Sequence, residues 1–113
     1  MVENRKYERV QSRLRCWCEG ENVTFYARVG NLSEGGLFLR TSTPLEAGAH
    51  AELRLGGGEL QEVQARAIVR WARGDDAGGP PGMGLEFERL EDVTLASLRV
   101  LIRHVALGEA LDT

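Results

Sequence analysis

Arg13-Leu14-Arg15-Cys16-Trp17-Cys18-Glu19-Gly20-Glu21-Asn22-Val23-Thr24-Phe25-Tyr26-Ala27-Arg28-Val29-Gly30 is the stretch from which the fold class is read. Successive side chains of a strand point to opposite faces, and from Arg13 to Glu19 the alternation is strict. Leu14, Cys16 and Cys18 share one face; Arg13, Arg15, Trp17 and Glu19 share the other. Glu19-Gly20-Glu21-Asn22 turns the chain. Val23 to Gly30 repeats the pattern, with Val23, Phe25, Ala27 and Val29 facing a core and Thr24, Tyr26 and Arg28 outside.

The same period recurs downstream. Strands are expected at Leu37 to Thr41, Ala51 to Leu55, Glu62 to Arg73 and Met83 to Phe87. In the longest, Val63, Ala65, Ala67 and Val69 share a face with Trp71. Between the strands lie a turn at Thr43 to Gly48, a hairpin tip at Gly56-Gly57-Gly58 and an exposed loop at Asp75 to Pro81 that cannot pair in a ladder. Six short strands predict a fold dominated by β-structure, a closed or nearly closed six-stranded antiparallel β-barrel, which removes the sheet edges that would otherwise pair between molecules. After it, Leu95, Leu98, Leu101, Ile102 and Val105 follow helical spacing, from Asp92 as the expected N-cap to about Leu107, before Gly108. That C-terminal α-helix should lay its apolar stripe on the barrel and turn Arg99 and Arg103 to solvent.

With 113 residues, 42% hydrophobic and 27% charged, the chain is one soluble-type domain with a core of its own. Residues 1–12 lack a clean period and read as a flexible arm, leaving 13–113 as barrel plus helix. No apolar run is long enough for a membrane span and no secretory leader is seen, so a cytoplasmic location without membrane insertion is expected. Net charge is −3, unevenly spread: the first fifteen residues hold five basic groups against Glu3 and Glu8, and the remainder sums to −6. An acidic body argues against DNA or RNA as partner, since long nucleic acid wants a continuous basic face. A small dianion needs only a local positive pocket. Cys16 and Cys18, on one strand face beside Leu14, read as reduced core thiols. With no second Cys pair and with His50 and His104 in unlike contexts, a closed metal site is not expected.

Nothing assembles a catalytic set. Ser33 has no base beside it in sequence, and neither His-Glu-x-x-His nor a P-loop occurs. The chain therefore reads as a binding module and not an enzyme. Two polar signatures stand out. Arg5-x-x-x-Arg9 offers two permanently charged forks that can grip a phosphate or a guanine edge bidentately. Asn31-x-Ser33-x-x-Gly36 offers a carboxamide and a hydroxyl, with Gly35 and Gly36 able to take positive φ and bring main-chain N–H groups to an anion, or else simply to form a hairpin turn. Trp17 and Trp71 could stack on a base, though on a small barrel packing is their commoner use.

The order and spacing of Arg5-Lys6-Tyr7-Glu8-Arg9, a strand, a hairpin, and Asn31-Leu32-Ser33-Glu34-Gly35-Gly36, followed by Gly82-Met83-Gly84-Leu85-Glu86-Phe87 and a C-terminal helix, resembles the PilZ domain family. The resemblance implies that Arg5, Arg9, Asn31, Ser33, Gly35 and Gly36 bind cyclic di-GMP, a bacterial second messenger. No other cofactor is implied. A ligand-induced closing of the arm would signal to a protein partner. The alternative is a PilZ-fold interaction module of motility, pilus or secretion machinery that binds no nucleotide. Many members carry a further Arg directly before the first motif, associated with an intercalated ligand dimer. Asn4 stands there in this chain, which favours one ligand per protein.

Overall fold

The computed structural model of the chain describes residues 10–12, 14–56, 60–74 and 78–108. Seven strands, β1 (Val10–Gln11), β2 (Arg15–Glu19), β3 (Thr24–Leu32), β4 (Gly36–Arg40), β5 (His50–Leu55), β6 (Val63–Arg73) and β7 (Gly82–Phe87), precede one helix, α1 (Asp92–Ala106). Six of them close a barrel in the order β3-β2-β5-β6-β7-β4, every pair antiparallel, with β4 returning to β3. This is the architecture that the alternation predicts.

β1 prolongs the line of β2 along β3. Val10 faces Leu32 and Gln11 faces Asn31, then Arg15 faces Arg28, so three residues oppose two and the strand bulges between them. Hydrogen bonds hold the bulge: Ser12 N–H donates to the Gly30 carbonyl at 3.1 Å and Leu14 N–H to Ser12 Oγ at 2.9 Å. Val10 to Ser12, expected in the arm, are therefore part of the barrel wall, because their main-chain groups find partners on β3. The rest of the arm, residues 1–9 with Arg5 and Arg9, lies outside the described residues, as do Arg13, Gly57, Gly58 and Asp75 to Ala77.

Inside the barrel, Leu14, Cys16, Cys18, Val29, Leu32, Leu39, Leu53, Leu55, Val63, Val69, Met83 and Leu85 form one cluster. Both cysteines are free and buried. Burial, with the neighbouring Cys18 thiol adding to it, pushes the Cys16 thiol up from 9.0 to about 12. Burial and then Glu19 push Cys18 up to about 11. Both pack as small hydrophobes of the core.

Two expectations about the core faces fail. Val23 lies in the turn before β3, where its carbonyl accepts from Gly20 N–H at 2.7 Å, and it stays 42% exposed. Trp71 leaves the face of Val63, Ala65, Ala67 and Val69 because the register shifts after Val69. Val69 faces Leu85, yet Trp71 faces Gly84, so one step of the alternation is skipped and Trp71 emerges outside at 40% exposure.

α1 packs against β1 and β6, burying Leu98 and Leu101 completely. Its N-cap is Glu91, in extended conformation and without a side-chain cap, so Asp92, the expected cap, stands one residue inside. There its carboxylate still opposes the positive end of the helix dipole, as Arg103 opposes the negative end. Gly108, at φ +76°, ends the helix as anticipated.

Candidate functional site

β3 carries Asn31 within its last two residues, the connection is only Ser33-Glu34-Gly35, and Gly36 opens β4. The second motif thus straddles two strand ends instead of filling a loop. Ser33 builds the turn. Its N–H donates to the Gly36 carbonyl at 2.9 Å, and its hydroxyl accepts from Gly35 N–H at 3.1 Å. At 5% exposure, Ser33 shapes the loop from within. Gly35 ties the loop to the neighbouring wall, its carbonyl accepting from Phe87 N–H at 2.9 Å. Glu34 reaches the other way and forms an ion pair at 3.2 Å with Arg99 of α1, which stays exposed as expected.

Neither Gly35 nor Gly36 has positive φ. The main-chain nest expected from them is absent because the Ser33 hydroxyl closes the turn without left-handed backbone. Gly36 is needed for another reason: a Cβ there would overlap the Leu85 carbonyl oxygen of β7. Only glycine lets β4 and β7 pair at this point.

Asn31 points along the outer wall, opposite Gln11 on one side and Phe38 on the other. Its Oδ1 is enclosed and meets no donor among the described residues. Beside it lies an aromatic shelf. Phe38 and Trp71 stack with centroids 5.4 Å apart and planes 17° from parallel. Arg73 Cζ sits 5.2 Å over Trp71 and 5.8 Å over Phe38, within cation–π range. The rings lie flat on the barrel because glycines clear the floor: a Cβ at Gly82 or Gly30 would strike Phe38, and one at Gly84 would strike Trp71. Sequence reasoning passed over Phe38 and Arg73. Gly82 and Gly84, at alternate positions of one strand, were the available signal, since glycine inside a strand marks the close approach of another group.

A further concavity of the described residues lies at the opposite end of the barrel, between the β2–β3 turn and the segment before β5. Glu19, Glu21, Glu46 and Glu52 rim it, which suits no anion. Among the described residues no group of three or more His, Cys, Asp or Glu could hold a metal, and no helix is long and apolar enough to cross a membrane.

A closed six-stranded barrel with a C-terminal helix and a polar Asn-x-Ser-x-x-Gly turn on its wall defines the class of small β-barrel domain to which the chain belongs. The profile of the PilZ domain matches residues 3–106, and the chain belongs to that family. Among solved structures, the PilZ domain of YcgR from Escherichia coli with c-di-GMP is similar at a TM-score of 0.75 and 17% identity, covering 94% of each chain. The Bacillus subtilis inhibitor of motility MotI/DgrA is similar at 0.76 and 18%, over 96% of this chain and 54% of that one. The K. pneumonia MrkH–c-di-GMP complex is similar at 0.71 and 20%, over 96% and 55%; MrkH is described as a transcription regulatory factor dependent on c-di-GMP. The chain thus spans about half the length of MotI and of MrkH. No curated protein matches it in sequence.

Proposed function

We propose that this domain binds one cyclic di-GMP on the outer wall at Asn31 to Gly36 and relays its occupancy to a protein partner in the cytoplasm. The observation that carries the reading is the β1–β3 pairing. Val10, the residue covalently after Arg9, is held against Leu32, and Gln11 against Asn31, so the chain that bears the first motif joins the wall beside the second. Arg5 and Arg9 supply the charge for the phosphates and guanine edges. Asn31 Oδ1, which meets no donor among the described residues, accepts from a guanine N–H, while Ser33 and Gly36 hold the turn and Arg73, resting on Trp71, offers a planar group for stacking.

Two like-charged guanidinium groups gain nothing from each other. A dianion between them supplies the differential interaction that favours a closed arrangement over the wall. Glu34–Arg99 and the packing of α1 on β1 give that change a route to the helix. Calorimetric titration with cyclic di-GMP tests the reading: saturable binding near one ligand per chain is expected. Absence of binding would leave a PilZ-fold adaptor that takes no nucleotide.

A further inference from the structure

We infer that the outer face of β2, β3 and β4 around Arg15, Arg28 and Arg40 is a docking surface for an acidic segment of a partner protein. The three arginines stand directly opposite one another across adjacent strands: Arg15 faces Arg28, and Arg28 faces Arg40. All three are exposed. Like charges in direct cross-strand register are destabilising, since neighbouring strands lie only about 4.8 Å apart.

Elsewhere on the wall, three arginines are neutralised by a neighbouring carboxylate: Arg54 pairs with Glu19, Arg66 with Glu52 and Arg70 with Glu86. Arg15, Arg28 and Arg40 have no carboxylate partner among the described residues. Among the described residues, this row of guanidinium groups in an acidic chain is thus left without a carboxylate, against its own stability. The adjoining row supplies aromatic contact surface. Trp17 and Tyr26 meet edge to face at 4.8 Å, and Tyr26 is 64% exposed. Arginine beside tyrosine and tryptophan is the composition of interface anchors.

The occupant is a protein segment and not nucleic acid because the patch is small and bounded. The row is three strands wide, about 10 Å, and Glu19 faces Glu52 and Thr24 one row beyond the aromatic pair. An extended polyphosphate would run off the arginines onto carboxylates. Two or three carboxylates on a peptide match three planar forks and leave the peptide's apolar groups to Tyr26 and Trp17. The surface adjoins the proposed nucleotide site at Arg40, which stands two residues from Phe38 on β4 and lies against the same position at Gly30, and it extends from there to Arg28 and Arg15.

The test is fluorescence anisotropy of the intact chain with a labelled glutamate-rich peptide containing interspersed leucines. The same peptide with glutamine for glutamate and an oligothymidylate are the comparison probes. The glutamate peptide should bind, weaken with salt, and outbind both others. Arg15→Ala and Arg28→Ala should each weaken it about tenfold, melt no lower than the parent, and titrate with cyclic di-GMP as the parent does. Equal binding of the glutamine peptide, preference for oligothymidylate, or a lowered melting temperature in the alanine variants would each overturn the assignment. The last result would mean that the arginines hold the barrel together.

Discussion

Asn31 Oδ1 is an enclosed acceptor without a donor among the described residues, and such an omission costs about 1–3 kcal/mol. Asn31→Ala should therefore leave the free domain as stable as before, or more so, while cyclic di-GMP binding falls about tenfold or more; urea melts and calorimetry read the two quantities separately. A destabilised but binding-competent variant would assign Asn31 to the scaffold. The thiols make a different prediction. Cys16 and Cys18 are raised from 9.0 to about 12 and about 11, chiefly by burial. Their neutral forms contribute stability that is complete below pH 9 and is lost as pH climbs through 11 and 12, because the unfolded chain ionises first. Native protein should resist iodoacetamide near pH 8 and react at once when unfolded. Cys16→Ala should flatten the fall in stability above pH 9. Fast alkylation of the native fold would contradict the burial.

At the scale of elements, Gly36 and α1 set the stakes. Gly36→Val drives a branched side chain into the Leu85 carbonyl, so β4 must part from β7. A loss of about 1–3 kcal/mol or more is expected with no ligand present, and a denaturant melt that matched the parent would refute the close approach. Arg99→Ala breaks only an exposed ion pair and should cost well under about 1 kcal/mol, whereas Leu101→Ala empties a core position and should cost about 2–5 kcal/mol. What could be read from sequence follows the same division. The regular alternation of β2, β5 and β6 was legible because burial on one face imposes period two, and the Asn31 turn because Asn, Ser and paired Gly between two strands are turn-forming residues. The bulges after Gln11, Val29 and Val69 were not, since an added residue needs no special side chain and yet reverses every face beyond it. Hence Trp71 was expected inside. The shelf escaped notice because Phe38, Trp71 and Arg73 come from two strands that are not neighbours in the chain and lie together only once β7 runs between them.

On the whole molecule, charge is partitioned: the first fifteen residues are at +3 and the rest at −6. Arg5→Ala and Arg9→Ala should each cut cyclic di-GMP affinity about tenfold or more while the melt is unchanged, because each removes charge-assisted bonds to the ligand. Parental affinity in either variant would remove the arm from the site. Hydrogen exchange should slow between Arg5 and Val10 when ligand is added, with the six barrel strands little altered; equal protection in both states would remove the closing step. The stacked shelf adds an optical consequence. Trp71 rests on Phe38 under Arg73, while the other indole, Trp17, sits two strands away in the ring order beneath Arg54. The protein therefore carries its own fluorophore at the edge of the proposed site and a second that serves as internal reference. In Trp17→Phe, the emission that remains comes from Trp71 alone, and a guanine arriving at Arg73 beside that ring would report its arrival as a change in emission, in real time and without any label.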